Sequence, residues 1–277
     1  MKHLESQWIS NDQVKFYMQE WLPDGEIVAS ITLVHGIGEH SGRYQSMAEY
    51  YCGKGISILS YDQRGHGKTE GKRGYIRSYD IAGNDIEHFI QENKTRHPRT
   101  PQFLYGHSLG GAMALYYCLS HKPDINGAVI SAPGLAPGTP FPPIVMFIAK
   151  FLAKIAPSFT ISNGLERKYL SRDAEVEMKY SSDPLVHDQV STSLGNDLVT
   201  KGLWMVQNAA SLEIPTLFMY GTDDHLVDLS KIREFIKHAK PSLFVKEWDG
   251  FYHEIHNEPE KEQVYDYAIN WIKSKLT

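Results

Sequence analysis

Residues 103–111 read Phe-Leu-Tyr-Gly-His-Ser-Leu-Gly-Gly, with Ser108 at the centre of a G-x-S-x-G pattern. The apolar residues before the pattern predict a buried strand, and apolar residues three and four apart in 111–121 predict a helix after it. A serine at such a junction lies on a strained, sharp turn that exposes its hydroxyl, and the flanking glycines let strand and helix pack closely. The stretch therefore predicts that Ser108 is a nucleophile.

Strand-like and helix-like segments alternate on both sides of this stretch. Further apolar runs predict buried strands at 31–34, 56–61, 128–131, 216–220 and 243–245. Helical periodicity covers 44–54, 81–94, 229–240 and 260–276, and the alternation in 14–21 predicts an antiparallel edge strand. This order predicts a mostly parallel, doubly wound α/β sheet, and with the serine turn it predicts the α/β-hydrolase fold.

The alternation stops after residue 131. Residues 132–208 form an insertion that opens with five prolines in 133–143 and is too long for a plain loop. We therefore expect a hydrolase core built from 1–131 and 209–277, with 132–208 as a helical cap, or lid, over the carboxyl edge of the sheet.

The acid that supports the base is expected between the nucleophile and the histidine, because this fold has the order Ser, Asp or Glu, His. Asp223, Asp224 and Asp228 all follow the predicted strand 216–220. We favour Asp224 because it lies just beyond the strand end. Asp223 is then expected to cap the turn and Asp228 to cap the next helix.

Two histidines compete for the role of base. His253 and His256 both follow the predicted strand 243–245, so both lie at the edge that carries the nucleophile. The residues alone leave open which of them reaches the serine and which lines the pocket. We expect His225 at the surface, and His107 pointing away from its neighbour on the turn.

The loop after strand 31–34 reads His-Gly-Ile-Gly-Glu-His over residues 35–40. In this fold that loop donates one backbone N–H to the oxyanion, and the residue after the nucleophile donates the other. We assign these donors to Ile37 and Leu109. The glycines at 36 and 38 let the loop pass close to a substrate.

Taken together, five motifs resemble the monoacylglycerol lipase and lysophospholipase family of α/β-hydrolases. They are HGIGEHSGRY (35–44), YDQRGHG (61–67), GHSLGG (106–111), SDPL (182–185) and HEIHNE (253–258). The resemblance implies a triad of Ser108, Asp224 and His253. It also implies that Glu39, Tyr180 and His256 form a polar pocket for the glycerol end of the substrate, since each can hydrogen-bond a hydroxyl.

Two further expectations follow from the resemblance. Asp62-Gln63-Arg64 is expected to brace the sheet edge rather than to react. Ile37 stands where some relatives have a smaller residue, which narrows the acyl entrance but leaves a backbone donor in place.

The expected reaction is hydrolysis of an acyl ester on a glycerol backbone through an acyl-enzyme, which needs no cofactor and no metal. The alternatives are a lysophospholipase, a general carboxylesterase or thioesterase, and a ligand-binding module of this fold without turnover.

Composition limits the kinds of binding partner that we expect. A formal net charge of −5 without a long basic run argues against nucleic acid, and Cys52 and Cys118 read as buried thiols. The absence of an apolar signal core near the start predicts a cytoplasmic protein.

The apolar stretch 144–156, with Lys150 and Lys154 on one helical face, either packs on the core or rests transiently on a lipid surface. The resemblance favours a lid over an acyl tunnel.

Overall fold

The computed structural model describes residues 1–138 and 150–276. The strands within them are β1 (Lys2–Ile9), β2 (Lys15–Leu22), β3 (Ala29–Val34), β4 (Ile56–Tyr61), β5 (Gln102–His107), β6 (Gly127–Ser131), β7 (Thr160–Ser162), β8 (Gln189–Ser191), β9 (Thr216–Gly221) and β10 (Leu243–Trp248). The helices are α1 (Gln45–Cys52), α2 (Tyr79–Arg96), α3 (Ser108–His121), α4 (Ala174–Ser182), α5 (Thr192–Gln207), α6 (Leu229–His238) and α7 (Lys261–Lys273). Residues 150–155 are also helical.

Eight of these strands form one twisted sheet in the order β1-β2-β4-β3-β5-β6-β9-β10. From β4 to β10 all neighbours are parallel, whereas β1 and β2 are antiparallel to each other and β2 is antiparallel to β4. The separate pair β7 and β8 is antiparallel. The predicted doubly wound, mostly parallel sheet is confirmed.

Helices cover both faces of the sheet, which explains why its central strands are continuously apolar. One core packs α2, α3, α5 and α6 against the sheet, and the other packs α1 and α7 against the opposite face. Cys118 lies in the first core and Cys52 in the second, so both are buried thiols as predicted.

The N-terminal edge of the sheet differs from the prediction. The segment expected as an edge strand is β2, which lies between β1 and β4 and is buried along most of its length. The edge is β1, where only Leu4, Ser6 and Trp8 are half-buried between exposed residues. Sequence reasoning missed β1 because only one face of an edge strand needs apolar residues, and this one is short of them.

The predicted insertion is partly built into the core. Its last helix, α5, buries Leu194, Met205 and Val206 in the same core as α2 and α3. The elements before it are the helical residues 150–155, β7, α4 and β8. Residues 144–149 of the apolar stretch, including Ile148, lie outside the described residues. The boundary between core and cap stays a prediction.

Candidate active site

The serine turn has the geometry that the sequence pattern predicts. Ser108 is the first residue of α3, directly after β5, and its φ of 54° lies in the left-handed region. A Cβ on Gly106 would come within 2.5 Å of the Gly110 carbonyl oxygen, and one on Gly110 within 2.3 Å of the His35 carbonyl oxygen. A larger residue at Gly106 would force β5 and α3 apart, and one at Gly110 would force α3 away from the end of β3.

Three side chains from distant parts of the chain form one hydrogen-bonded row. Nε2 of His253 lies 2.8 Å from Oγ of Ser108, and its Nδ1 lies 2.7 Å from Oδ2 of Asp224. All three residues are buried. Burial by itself lowers the pKa of His253, but the Asp224 carboxylate and the more distant carboxylates outweigh it, so the net pKa is raised above its usual value.

The competing acids lie elsewhere. Asp224 is held from the other side, because its Oδ1 accepts the N–H of Leu226 at 2.8 Å. Asp223 is exposed, and Asp228 caps α6 by accepting the N–H of Ser230, as predicted. His225 is exposed, also as predicted.

Two backbone amides close to Ser108 in the chain or the fold have no hydrogen-bond partner within the described residues. The N–H of Leu109 belongs to the first turn of α3, and the N–H of Ile37 lies in the loop after β3. The loop is in contact with the nucleophile, because a Cβ on Gly36 would lie 3.3 Å from Cβ of Ser108.

A second layer of aromatic rings lies beneath the base. The ring of His107 is 4.9 Å from that of His253 and 4.6 Å from that of His256, and the His256 ring stacks on Tyr44 at 4.9 Å. His107 thus makes no hydrogen bond to Ser108, as expected, but it packs against the base rather than facing solvent. Burial lowers the pKa of His107 well below its usual value and that of His256 to about 4, so both are neutral near pH 7.

The residues expected around the glycerol end of the substrate are grouped around Arg43. Arg43 donates to Oε2 of Glu39 at 2.5 Å, makes two bonds to Glu254 at 2.7 and 2.8 Å, and lies 4.6 Å from the centre of the Tyr180 ring. Burial alone would raise the pKa of Glu254, but the guanidinium of Arg43 lowers it to about 2. His256 joins this group through the Tyr44 ring.

Glu39 already has three donors: the N–H of Gly36 and the hydroxyl of Tyr44 on Oε1, and Arg43 on Oε2. By contrast, neither ring nitrogen of His256 has a partner within the described residues. Sequence reasoning assigned no role to Arg43 or Glu254, although both lie within the five motifs. The available signals were the spacing of four residues from Glu39 to Arg43 and the place of Glu254 beside a candidate base.

The motif after β4 braces the sheet edge, as expected. Asp62 accepts the N–H of Ser41 at 2.8 Å and its hydroxyl at 2.6 Å, which secures the end of the 35–40 loop. Arg64 makes two bonds to Asp85 of α2 at 2.6 and 2.7 Å.

Fold and site together define a serine hydrolase of the α/β-hydrolase class. Residues 25–260 match the family model described as serine aminopeptidase, S33, and the chain belongs to this family. The chain is 32% identical to a monoacylglycerol lipase of Mycolicibacterium smegmatis, over 95% of this chain and 94% of that protein. It is 34% identical to phospholipase YtpA of Bacillus subtilis, over 91% of this chain and 97% of that protein.

Two further similarities extend this result. A solved structure of a Paleococcus ferrophilus monoacylglycerol lipase superposes with a TM-score of 0.86 at 34% identity, covering 94% of this chain and 99% of that one. The chain is also 30% identical, over 98% of its length, to an uncharacterised abhydrolase-domain protein of Dictyostelium discoideum, of which it spans only 29%. The predicted family, fold and class of enzyme are confirmed, and the chain is a carboxylic ester hydrolase.

Proposed function

We propose that this enzyme hydrolyses monoacylglycerols to glycerol and a free fatty acid through an acyl-enzyme on Ser108. The observation that carries this proposal is the hydrogen-bonded row from Asp224 through His253 to Ser108. The similarity to proteins named monoacylglycerol lipase supports the choice of substrate.

Each group has a defined task in this mechanism. His253 accepts the Ser108 proton at Nε2 while the oxygen attacks the acyl carbon, and Asp224 holds Nδ1–H and stabilises the imidazolium. The raised pKa of His253 suits a base that must hold this proton. The amides of Ile37 and Leu109 bind the developing oxyanion, an arrangement worth roughly 10²–10³ in rate for each donor. His253 then protonates the glycerol oxygen, and water releases the fatty acid by the reverse sequence.

For the glycerol end of the substrate we favour Tyr180 and His256 as direct contacts. His256 has two buried ring nitrogens without a partner among the described residues, and a hydroxyl group could satisfy either of them. The Tyr180 hydroxyl lies beside the oxyanion loop, 3.3 Å from where a Cβ on Gly38 would stand. Glu39 acts indirectly, because its oxygens already hold Gly36, Arg43 and Tyr44.

Two histidine variants on two esters test this pocket. His256→Ala should lower kcat/KM for a monoacylglycerol but change it little for the fatty-acid methyl ester, which has no hydroxyls to offer the pocket. His253→Ala should remove activity on both esters. An equal loss on both esters with His256→Ala would show that His256 is not a leaving-group contact.

The runner-up substrate is a lysophospholipid, which the relative named phospholipase supports. The charges beside the pocket argue against it. Arg43 is already ion-paired with Glu39 and Glu254, so it is not free to bind a phosphate, and a bulky phosphate-bearing leaving group should fit poorly beside Glu39 and Tyr180. Faster wild-type hydrolysis of lysophosphatidylcholine than of a monoacylglycerol would reverse the ranking. Lack of labelling by a fluorophosphonate would instead support a non-catalytic binding module.

We also propose transient contact with lipid surfaces through the cap. Phe151 and Ile155 lie on the helical residues 150–155 and are 55% and 63% exposed, and Phe159 is 52% exposed. Lys150 and Lys154 flank them and could lie among lipid headgroups while the apolar side chains insert. Within the described residues no helix is long and apolar enough to cross a membrane.

A further inference from the structure

A short segment of the predicted cap, residues 183–187, is bonded directly to the oxyanion loop. Nε2 of His40 lies 2.9 Å from Oδ2 of Asp183, and the N–H of His187 donates to the Gly38 carbonyl at 2.9 Å. Gly38 has a φ of 72°, and a Cβ there would come within 2.2 Å of the His187 carbonyl oxygen. The two backbones therefore meet where only glycine fits. We call residues 183–187 the clamp segment.

The clamp segment holds the peptide between Gly38 and Glu39, two peptide units beyond the one that carries the Ile37 N–H. On the other side, the N–H of Gly36 is bonded to the Glu39 carboxylate at 2.6 Å. The Ile37 amide thus lies between a residue held by the loop's own buried Glu39 carboxylate and a residue held by the clamp segment. Because both neighbours are tied, the direction of this N–H depends on both bonds.

The two carboxylate oxygens of Asp183 have different hydrogen-bond partners. Oδ1 accepts the N–H of Leu185 at 2.8 Å and so closes a turn within the clamp segment, which leaves Oδ2 for His40. His40 in turn uses Nδ1 to accept the N–H of Gly42 at 3.2 Å. Each ring nitrogen of His40 therefore has its own partner, one just after the loop at Gly42 and one in the clamp segment at Asp183.

The contact between His40 and Asp183 is a hydrogen bond rather than an ion pair, because Nδ1 of His40 accepts the N–H of Gly42 and so carries no proton. The Asp183 side chain is 27% exposed, so water can partly replace this bond when it is lost. The reaction rate is far more sensitive to the direction of an oxyanion donor, since a misplacement of about 1 Å can cost on the order of 10² in rate.

We propose that the clamp segment positions the oxyanion hole, with Asp183 and His40 as positioning residues that tie the Ile37 loop to the cap. This inference rests on the proposed function, because it assigns the Ile37 amide to the oxyanion. It gives the SDPL motif a role: its aspartate sets the turn and anchors the loop.

Two variants of His40 separate its two bonds. His40→Asn puts an acceptor near the place of Nδ1, so it can keep the Gly42 bond, but it is too short to reach Asp183. His40→Gln is the matched control, because its terminal amide lies near the place of Nε2 and can still donate to Asp183. Each variant is titrated with a fluorophosphonate to count active sites, and kcat and KM are measured on a soluble p-nitrophenyl ester.

We expect His40→Asn to lower kcat per titrated site by roughly 10- to 100-fold, less than the 10²–10³ for a deleted donor, with KM unchanged. His40→Gln should stay close to wild type. Asp183→Ala should lose at least as much, because it also removes the acceptor of the Leu185 N–H, and the double variant His40→Asn/Asp183→Ala should be no worse than Asp183→Ala alone, because the bond between His40 and Asp183 is already broken there.

The outcomes distinguish this inference from the proposed function. An unchanged kcat per site in His40→Asn, with or without a lower melting temperature, would overturn the positioning role while the hydrolase remains. An equal loss in His40→Gln would also overturn it, since that variant keeps the cap contact. A wild type that neither labels nor hydrolyses esters would overturn the proposed function and this inference with it.

Discussion

Replacement of Asp224 by asparagine is the sharpest test of the proposed triad. In the wild type, Oδ2 accepts Nδ1–H of His253 at 2.7 Å while Oδ1 accepts the N–H of Leu226 at 2.8 Å. An asparagine that keeps the Leu226 bond must turn its NH₂ group toward Nδ1. The imidazole proton then moves to Nε2, which can no longer accept the proton of Ser108.

The expected loss follows from this tautomer. To restore the reactive form, the amide must flip and break its bond to Leu226 in a buried site. The same substitution in the best-studied triad lowers kcat by about 10⁴. That factor corresponds to about 5.5 kcal/mol of activation free energy.

The pH profile gives an independent readout of the same contact. The Asp224 carboxylate raises the pKa of His253 against the opposing effect of burial. Wild-type kcat/KM should therefore fall as the pH drops through a value above 6.5, where the base becomes protonated. In Asp224→Asn only the more distant carboxylates still oppose the effect of burial, so the pKa of His253 falls and the acidic limb of the residual activity should move to lower pH.

The assay is a pH series of kcat and KM on a soluble ester, with two neighbouring aspartates as controls. Asp223→Asn changes an exposed carboxylate and should leave kcat near wild type. Asp228→Asn keeps an oxygen that can cap α6 and should also leave kcat near wild type. A larger loss in Asp223→Asn than in Asp224→Asn, or more than about a tenth of wild-type activity in Asp224→Asn, would refute this reading of the loop.

Three further predictions concern other parts of the molecule. Ser108→Ala should lower kcat on the order of 10⁶ while circular dichroism and melting temperature stay unchanged, and substantial residual activity would remove Ser108 from its role. Phe151→Ser combined with Ile155→Ser should weaken hydrolysis of micellar monoacylglycerol and spare a soluble ester, because both side chains are exposed; equal losses on both would mean that they are needed for the fold. Burial lowers the pKa of His256 to about 4, below its unfolded value of about 6.5, so its contribution to stability is present above pH 6.5 and is lost as the pH falls toward 4. Urea unfolding across this range should show a flatter pH dependence for His256→Phe, which keeps the stack on Tyr44, and an unchanged slope would mean that His256 does not titrate in this window.

Local patterns in the sequence were enough for the fold. The G-x-S-x-G turn between a strand and a helix, together with the alternation around it, predicted the parallel sheet and the position of Ser108. These features are local, because the period of apolar residues and the placement of glycines act over a few neighbouring residues. The strand β1 was missed for the same reason, since an edge strand carries a weak local pattern.

The partners of the serine needed the tertiary structure. From the residues alone three aspartates were candidates, with Asp224 favoured by its place just beyond the strand end, and the choice between two histidines stayed open until the resemblance to a family favoured His253. The bonds that bring Asp224 and Ser108 to His253 span 29 and 145 residues of sequence. They exist because β5, β9 and β10 end at the same edge of the sheet.

The sequence likewise could not predict the network around Arg43 or the bonds from the clamp segment to the oxyanion loop. Glu254 lies 211 residues from Arg43, and Asp183 lies 143 residues from His40. A residue pattern specifies which side chains can pair, such as an arginine with carboxylates. Which of the many available partners it meets depends on the packing of loops from different strands, and the tertiary structure alone decides this.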